Sequence, residues 1–203
     1  MVLNSYSKIN LSLSVNRKTR SGLHEIQSFF CLINLSDKIK INKINKKKDQ
    51  IIFKGPFAKY INKSDNTISK LLKFLRKSEL ITSYYSVNII KNIPVFGGLG
   101  GGTSNAAFML RYLLKERINK NILNKIEKLI GSDIRLFFYK QGFLENLKTI
   151  KILKKKKKLI FLLSRPNINC STSSIYSEVR KYSKKNKFSF NKINTNKKFI
   201  DYI

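Results

Sequence analysis

Acid is scarce in this chain, which sets 11 Asp and Glu against 42 Lys and Arg and carries a formal net charge of +31. Tryptophan is absent, histidine occurs once, at His24, and cysteine twice, at Cys31 and Cys170. Two isolated cysteines without metal-ligand spacing speak against a disulfide scaffold and fit structural thiols in a reducing cytosol. No apolar run approaches the ~20 residues that cross a bilayer. The longest, Leu159 to Leu163, is strand-sized. The stretch MVLNSYSKINLSLSV lacks a basic leader followed by an apolar segment, so no signal peptide is expected and the expected location is cytoplasmic, with no membrane partner.

What is present suffices for a core: 42% of the 203 residues are apolar and 11% aromatic, enough for one large domain or one and a half ordinary ones. The basic excess invites a nucleic-acid reading. Yet the bases are overwhelmingly Lys, dispersed along the chain among abundant Ile and Asn, which is the residue usage of an A/T-rich coding sequence. Nucleic-acid readers more often carry Arg, clustered basic faces and interleaved aromatics. No specific nucleic-acid partner is therefore expected, and a basic nucleic-acid binder stays as a lesser alternative. The charge still draws anions such as nucleotides at low salt, screened beyond about 10 Å in the cell.

The patterning predicts strands with intervening helices. KINLSLSV, Lys8 to Val15, reads as a half-buried strand and IQSFFCLINL as a second, across the loop NRKTRSGLHE. DKIKINKI and DQIIFKG read as a hairpin about the turn Lys46 to Lys48. SDNTISKLLKFLRKS opens with cap-type residues and spaces Ile68, Leu71, Leu72 and Leu75 as one helix face. A strand in YYSVNIIKNIPV leads into a glycine stretch, then helices over about Thr103 to Lys115 and Asn121 to Leu129. TIKIL and LIFLLS bracket Lys154 to Lys158 as two strands with a solvated turn, and RPNINCSTSSIYSEV opens another helix. Strands and helices without strict alternation indicate an α+β fold.

VFGGLGGGTSNAAFML is the least ordinary stretch, with glycine at 97, 98, 100, 101 and 102 between a strand and a helix. That context suits a phosphate cradle: glycines let backbone approach an anion, and free N–H groups at the helix start point at its oxygens, aided by the helix dipole. Thr103 and Ser104 add hydroxyls. The P-loop pattern, with its Lys, does not fit, nor does the Rossmann fingerprint with its ribose-binding acid. A tight turn that merely permits close helix packing accounts less well for five glycines in six positions. Taken singly, Asp133 reads as a turn acid, Lys8 as an outward-facing strand residue and His24 as a structural histidine.

In order, KINLSLSVNRKTRSGLHEIQSFF, IPVFGGLGGGTSNAA, IGSDIRLFF and PNINCSTSSIY closely resemble the GHMP kinase superfamily, from about Lys8 to Tyr176. The resemblance implies a GHMP kinase fold of the α+β class, with a ribosomal protein S5 domain 2-like N-terminal domain over 1–146. An incomplete α/β C-terminal domain over 147–203 is implied after it. It implies ATP-dependent phosphorylation of the 2-hydroxyl of 4-diphosphocytidyl-2-C-methyl-D-erythritol, in the non-mevalonate route to isoprenoid precursors, by a monomer or weak homodimer. Asp133 would accept the hydroxyl proton and Lys8 would keep that carboxylate ionised and offset charge on the moving phosphoryl group. Pro94, Gly97, Gly98, Leu99, Gly100, Gly101, Gly102, Thr103 and Ser104 would cradle the ATP phosphates, with Mg²⁺ held through those phosphates rather than by a protein metal site. Asn66 falls near the adenosine side. Asn10, His24, Phe30 and Tyr176 fall on the cytidine and methylerythritol side, with His24 bonding the cytosine edge and Tyr176 stacking on its ring.

Four departures from the family pattern carry expectations. Leu23 stands where the family has a Tyr that stacks on cytosine. Arg135 replaces a Pro, and its charge is expected to act on Asp133 or compete with Lys8 for it. LENLKTI lacks the glycines that follow the Glu matching Glu145. The family's third, glycine-rich motif has no counterpart before Ile203, so a shortened enzyme is expected, with an inactive remnant that at most binds nucleotide as the alternative.

Overall fold

The computed structural model describes residues 1–20, 22–153, 157–165, 172–186, 193 and 196–202. Strands are β1 (Val2–Asn10), β2 (Ser14–Lys18), β3 (His24–Ile44), β4 (Gln50–Lys54), β5 (Tyr84–Ile90), β6 (Gln141–Leu144) and β7 (Ile150–Ile152). Helices are α1 (Thr67–Lys77), α2 (Gly101–Leu114), α3 (Lys120–Ile130), α4 (Thr172–Ser177) and α5 (Asn196–Tyr202). The elements form an α+β fold of two compact units that interleave along the chain. The first comprises Met1–Lys8, Leu32–Val95 and Leu99–Phe138; the second comprises Ile9–Cys31, Phe96–Gly98 and Tyr139–Ile203. Among the described residues no helix is long and apolar enough to cross a membrane.

The first unit is a sheet with helices on it, and period-two patterning builds the sheet. Along β3, Asp37, Ile39 and Ile41 point inward while Lys38 and Lys40 point outward; along β5, Val87 and Ile89 point inward. Antiparallel register sets Ile39 opposite Ile89 and Ile41 opposite Val87, so the apolar faces coincide. Ile68, Leu71, Leu72 and Leu75 of α1 and Ala106, Ala107, Met109 and Leu110 of α2 close over this face. The two alanines give α2 a close approach. Each fully buried leucine here contributes enough that truncation to Ala costs about 2–5 kcal/mol.

The hairpin expected at DKIKINKI and DQIIFKG does not form. β5 lies between β3 and β4, pairing antiparallel with the first and parallel with the second. The turn after β3 has no Asn-Gly or Asp-Gly step to enforce direct return, and β5 offers a better apolar face to both neighbours. β4 then reaches its parallel partner β5 through α1, as a parallel pair requires.

In the second unit the early part of β3 carries β2 on one side, Ser14 to Lys18 against Gln27 to His24, and β6 on the other. The strand expected at Lys8 to Val15 is thus displaced: β1 ends at Asn10, and β2 begins at Ser14 as an arm of a hairpin closed by the Thr19 N–H on the Leu23 carbonyl. Phe29 packs on Phe143, its cross-strand partner, with ring centroids 4.8 Å apart, and edge-on against Phe199 at 5.3 Å. The expected pairing of TIKIL with LIFLLS is also absent. β7 pairs with β6 instead, and Leu159 to Ser164 forms no strand, leaving Ile160 and Leu162 in solvent. A continuous apolar run of this kind needs partners on both faces, and among the described residues only Leu159 of the run packs on the second unit's core. Lys154 to Lys156 of the bracketed turn lie outside the described residues.

Glu25 is buried between Arg17 and Lys185, and hydrogen bonds from Lys185 first and Arg17 second hold its carboxyl below the usual glutamate range, against the opposing pull of burial. Cys31 is buried on β3, and burial pushes its thiol up to about 11. Cys170 lies outside the described residues. In a Cys170→Ser background, dithionitrobenzoate is expected to leave the native protein unlabelled at pH 8 and to titrate one thiol after denaturation. Rapid native labelling would contradict the burial of Cys31.

Candidate active site

Lys8 sits near the end of β1, and its side chain is 4% exposed, not outward-facing as alternation alone suggested. Its Nζ donates to Asp133 Oδ2 at 3.0 Å. Asp133 follows Gly131, whose φ of +138° turns the chain sharply after α3 in a conformation that favours glycine. The 3₁₀ segment Ser132–Phe138 then buries Ile134, Leu136 and Phe137, while the Asp133 carboxylate remains 39% exposed. An acid facing solvent thus stands over a buried ammonium, an arrangement that leaves one carboxylate oxygen available to a ligand.

The glycine loop joins the same place. The Lys8 N–H donates to the Leu99 carbonyl at 3.0 Å, tying the end of β1 to the loop. Phe96, Gly98 and Gly100 all adopt left-handed backbone, with Gly100 as the N-terminal cap of α2. Two constraints converge on Gly100: its φ is +68°, and a Cβ there would lie 2.8 Å from Cζ of Phe137. A side chain at Gly98, by contrast, would meet open space. The cap supplies no side-chain acceptor and the first turn no acid, so the first amides of α2 point outward without an intrahelical acceptor, at the positive end of the helix dipole. Thr103, half-buried in this turn, adds a hydroxyl. Pro94, also half-buried, leads into the loop.

Two residues expected at ATP are engaged within the protein. Ser104 is buried; its N–H closes the first helical turn on Gly100, and its hydroxyl donates to the Tyr6 carbonyl at 2.6 Å. Asn66 caps α1: its Oδ1 accepts from the N–H groups of Ile68 and Ser69, and its Nδ2 donates to the carbonyls of Asn62 and Lys63. The next residue, Thr67, reaches the glycine stretch, its hydroxyl donating to the Gly102 carbonyl at 2.8 Å.

Beneath the start of α2 lies a polar cluster that the sequence reading missed. Lys91 Nζ donates to Asp37 Oδ2 and, at 2.9 Å, to Asn105 Oδ1. Asn105 Nδ2 donates to Ser5 Oγ and to Asp37 Oδ2, and Ser5 Oγ lies 2.7 Å from Ser104 Oγ. The other Asp37 oxygen accepts from the N–H groups of Asn92 and Ile93. Burial pulls the Lys91 ammonium below the ordinary lysine range, opposed by the raising influence of Asp37. A signal existed: Asp37 shares a face with Ile39 and Ile41, and Lys91 with Val87 and Ile89. The register that sets Ile39 opposite Ile89, continued two residues, brings the charges together. Removing either partner alone leaves an uncompensated buried charge, so Lys91→Met is expected to lower stability by about 3–5 kcal/mol in a denaturant titration.

In the second unit His24 stacks on Tyr176, with centroids 5.2 Å apart and planes at 17°, and on Tyr182 at 6.3 Å and 24°. Tyr182 was not singled out in the sequence. Asn10 is exposed at the end of β1, whereas Phe30 is a core side chain, 1% exposed and packed beneath Gly142.

Residues 66–139 match the model of the GHMP kinases N terminal domain. A 4-diphosphocytidyl-2-C-methyl-D-erythritol kinase of Pelagibacter ubique is 42% identical over 90% of this chain and 66% of its own length. The kinase of that name from Francisella philomiragia is 34% identical over 90% of this chain and 67% of its own. The chain belongs to the 4-diphosphocytidyl-2-C-methyl-D-erythritol kinase family, within the GHMP kinases. A crystal structure of a 4-(cytidine 5'-diphospho)-2C-methyl-D-erythritol kinase superposes with a TM-score of 0.56 at 23% identity, over 75% of this chain and 55% of that one, which supports the shared fold. The chain therefore spans about two thirds of the length of these curated relatives.

Against the family pattern, one expected disturbance of the site is absent. Arg135 turns to α3, where it pairs with Glu127 at 2.9 Å and with the Asn124 side chain, leaving Asp133 to Lys8. Leu23, in place of the family's Tyr, is 50% exposed.

Proposed function

We propose that this chain transfers the γ-phosphoryl group of ATP to the 2-hydroxyl of 4-diphosphocytidyl-2-C-methyl-D-erythritol, a cytoplasmic step in non-mevalonate isoprenoid precursor synthesis. The observation that carries this reading is the Lys8–Asp133 pair, tied through the Lys8 N–H to the Leu99 carbonyl of the glycine loop. The names of the relatives supply the acceptor. On this reading residues 1–146 are the ATP-binding and catalytic domain and 147–203 part of a second domain.

Asp133 takes the proton of the tertiary hydroxyl as its oxygen attacks the γ-phosphorus; the bond from that phosphorus to the bridging oxygen breaks, and the electron pair leaves on ADP. Lys8, fixed by burial, offsets negative charge at the transferring group. The outward amides at Gly101, Gly102 and Thr103 receive phosphate oxygens. Mg²⁺ would be carried by the ATP phosphates, with the Thr103 hydroxyl and the Asp133 carboxylate as the chain oxygens that could hold it. Mg²⁺ bound there would neutralise charge on the phosphates. His24 recognises the cytosine edge, Tyr176 offers its ring, Asn10 bonds the polar acceptor, and Phe30 acts as the apolar wall behind them.

An acceptor panel tests this reading. ADP release in the presence of ATP and Mg²⁺ is expected with 4-diphosphocytidyl-2-C-methyl-D-erythritol and not with homoserine or mevalonate. Equal release with every acceptor, or release without any, would refute it.

A further inference from the structure

The polar cluster beneath α2 is buried, and it joins four separate stretches of chain. Ser5 and Tyr6 belong to β1, three and two residues before Lys8; Asp37 belongs to β3; Lys91, Asn92 and Ile93 follow β5; Ser104 and Asn105 belong to the first two turns of α2. Its side chains are satisfied in sequence. Lys91 donates to Asp37 and Asn105, Asn105 donates to Asp37 and Ser5, Ser5 donates to Ser104, and Ser104 donates to Tyr6. Asp37, Lys91, Asn105, Ser5 and Ser104 are each at most 2% exposed. Apolar residues would fill this volume without the cost of dehydrating a charge pair, so stability alone is a poor reason for it. What a chain of directional bonds adds over packing is a fixed register.

We propose that Ser5, Asp37, Lys91, Ser104 and Asn105 are positioning residues that set the start of α2 against β1, holding the outward amides at a fixed place relative to the Lys8 ammonium. Two observations beyond the cluster support the assignment. Gly101 is pressed onto the same point: a Cβ there would lie 3.0 Å from Ile93 and 3.4 Å from Lys91 Nζ, so the helix start sits directly on the ammonium. The Lys8–Leu99 backbone bond adds a second tie, so β1 holds the chain on either side of Gly100–Gly102, at Leu99 and at Ser104. The inference rests on the proposed ATP site and deepens it.

The test uses Ser104→Ala, which removes one hydroxyl and strands no charge, and Leu75→Ala, a core truncation in α1, as the structural control. Ser104→Ala is expected to raise KM for ATP roughly tenfold, the effect of one anchoring hydrogen bond, with KM for the acceptor unchanged. Leu75→Ala should lower Tm further and leave both KM values unchanged. A nucleotide-free measurement accompanies it: Ser104→Ala should speed amide hydrogen exchange in a peptide spanning 95–110 and not in one spanning 67–77. A fall in Tm with KM for ATP unmoved, both KM values rising together, or uniformly faster exchange would each overturn the positioning role. Localised exchange in a protein that binds no ATP analogue would instead overturn the ATP-site reading and leave the cluster as the anchor of the loop.

Discussion

Asp133→Asn is expected to lower kcat by about 10²–10⁴-fold, the range associated with losing a positioned general base, while KM for ATP stays within about threefold. Asparagine keeps the shape of the side chain and an oxygen facing Lys8, whose Nζ stands 3.0 Å from the present carboxylate. What it loses is the capacity to take a proton from the acceptor hydroxyl. Asp133 lies on a 3₁₀ segment held by buried Ile134 and Phe137 and is itself partly exposed, so the substitution disturbs little packing. A stopped assay of ADP release, paired with a thermal melt, checks the expectation. Turnover within tenfold of the parent at unchanged Tm would remove Asp133 from the role of base.

Gly100→Val combines two faults in one residue. A β-branched side chain at φ +68° adopts a backbone conformation that costs about 1–3 kcal/mol, and its Cβ would enter the space 2.8 Å from the Phe137 ring. Overpacking of that kind adds about 1–3 kcal/mol more. The expected result is a loss of about 2–6 kcal/mol in denaturant unfolding together with loss of measurable ATP binding, because the strained residue is the cap of the helix whose amides are proposed to receive the phosphates. Phe137→Leu separates the two faults. The stability cost of Gly100→Ala should be smaller in a Phe137→Leu background than in the parent, since the clash with the ring is relieved there while the backbone cost remains. Full stability and ATP binding in Gly100→Val would mean that the left-handed cap is dispensable.

Much of this frame could be read from residues alone. Ile68, Leu71, Leu72 and Leu75 do form the buried face of α1, and Gly97, Gly98 and Gly100 do precede a helix, which takes in Gly101 and Gly102, because periodicity and backbone freedom are local properties. Strand pairing is not local. β5 displaces β4 from β3 because the matching of Ile39 with Ile89 and Ile41 with Val87 depends on residues about fifty positions apart. The run Leu159 to Leu163 looked like a strand by composition, but composition does not supply a neighbour.

The candidate site was legible in its exposed parts and hidden in its support. The glycines stood out by type, whereas Lys8 and Asp133 were singled out only through the family resemblance, and Lys8 proved to be buried. Arg135 looked like a charge beside Asp133 from sequence distance alone, whereas the turn of the 3₁₀ segment sends it to Glu127. Asp37 and Lys91 went unnoticed because charged residues in or beside alternating strands are ordinarily assigned to the solvent face. Period-two counting from Ile39 and Val87 puts both charges inside.

The central claim is that this chain moves a phosphoryl group from ATP to an alcohol. Phosphorus-31 magnetic resonance of the protein with ATP, Mg²⁺ and 4-diphosphocytidyl-2-C-methyl-D-erythritol tests it most directly. A new phosphomonoester resonance that grows in step with the ADP signals is the result this account predicts. Unchanged ATP signals, or inorganic phosphate growing in place of the monoester, would contradict it.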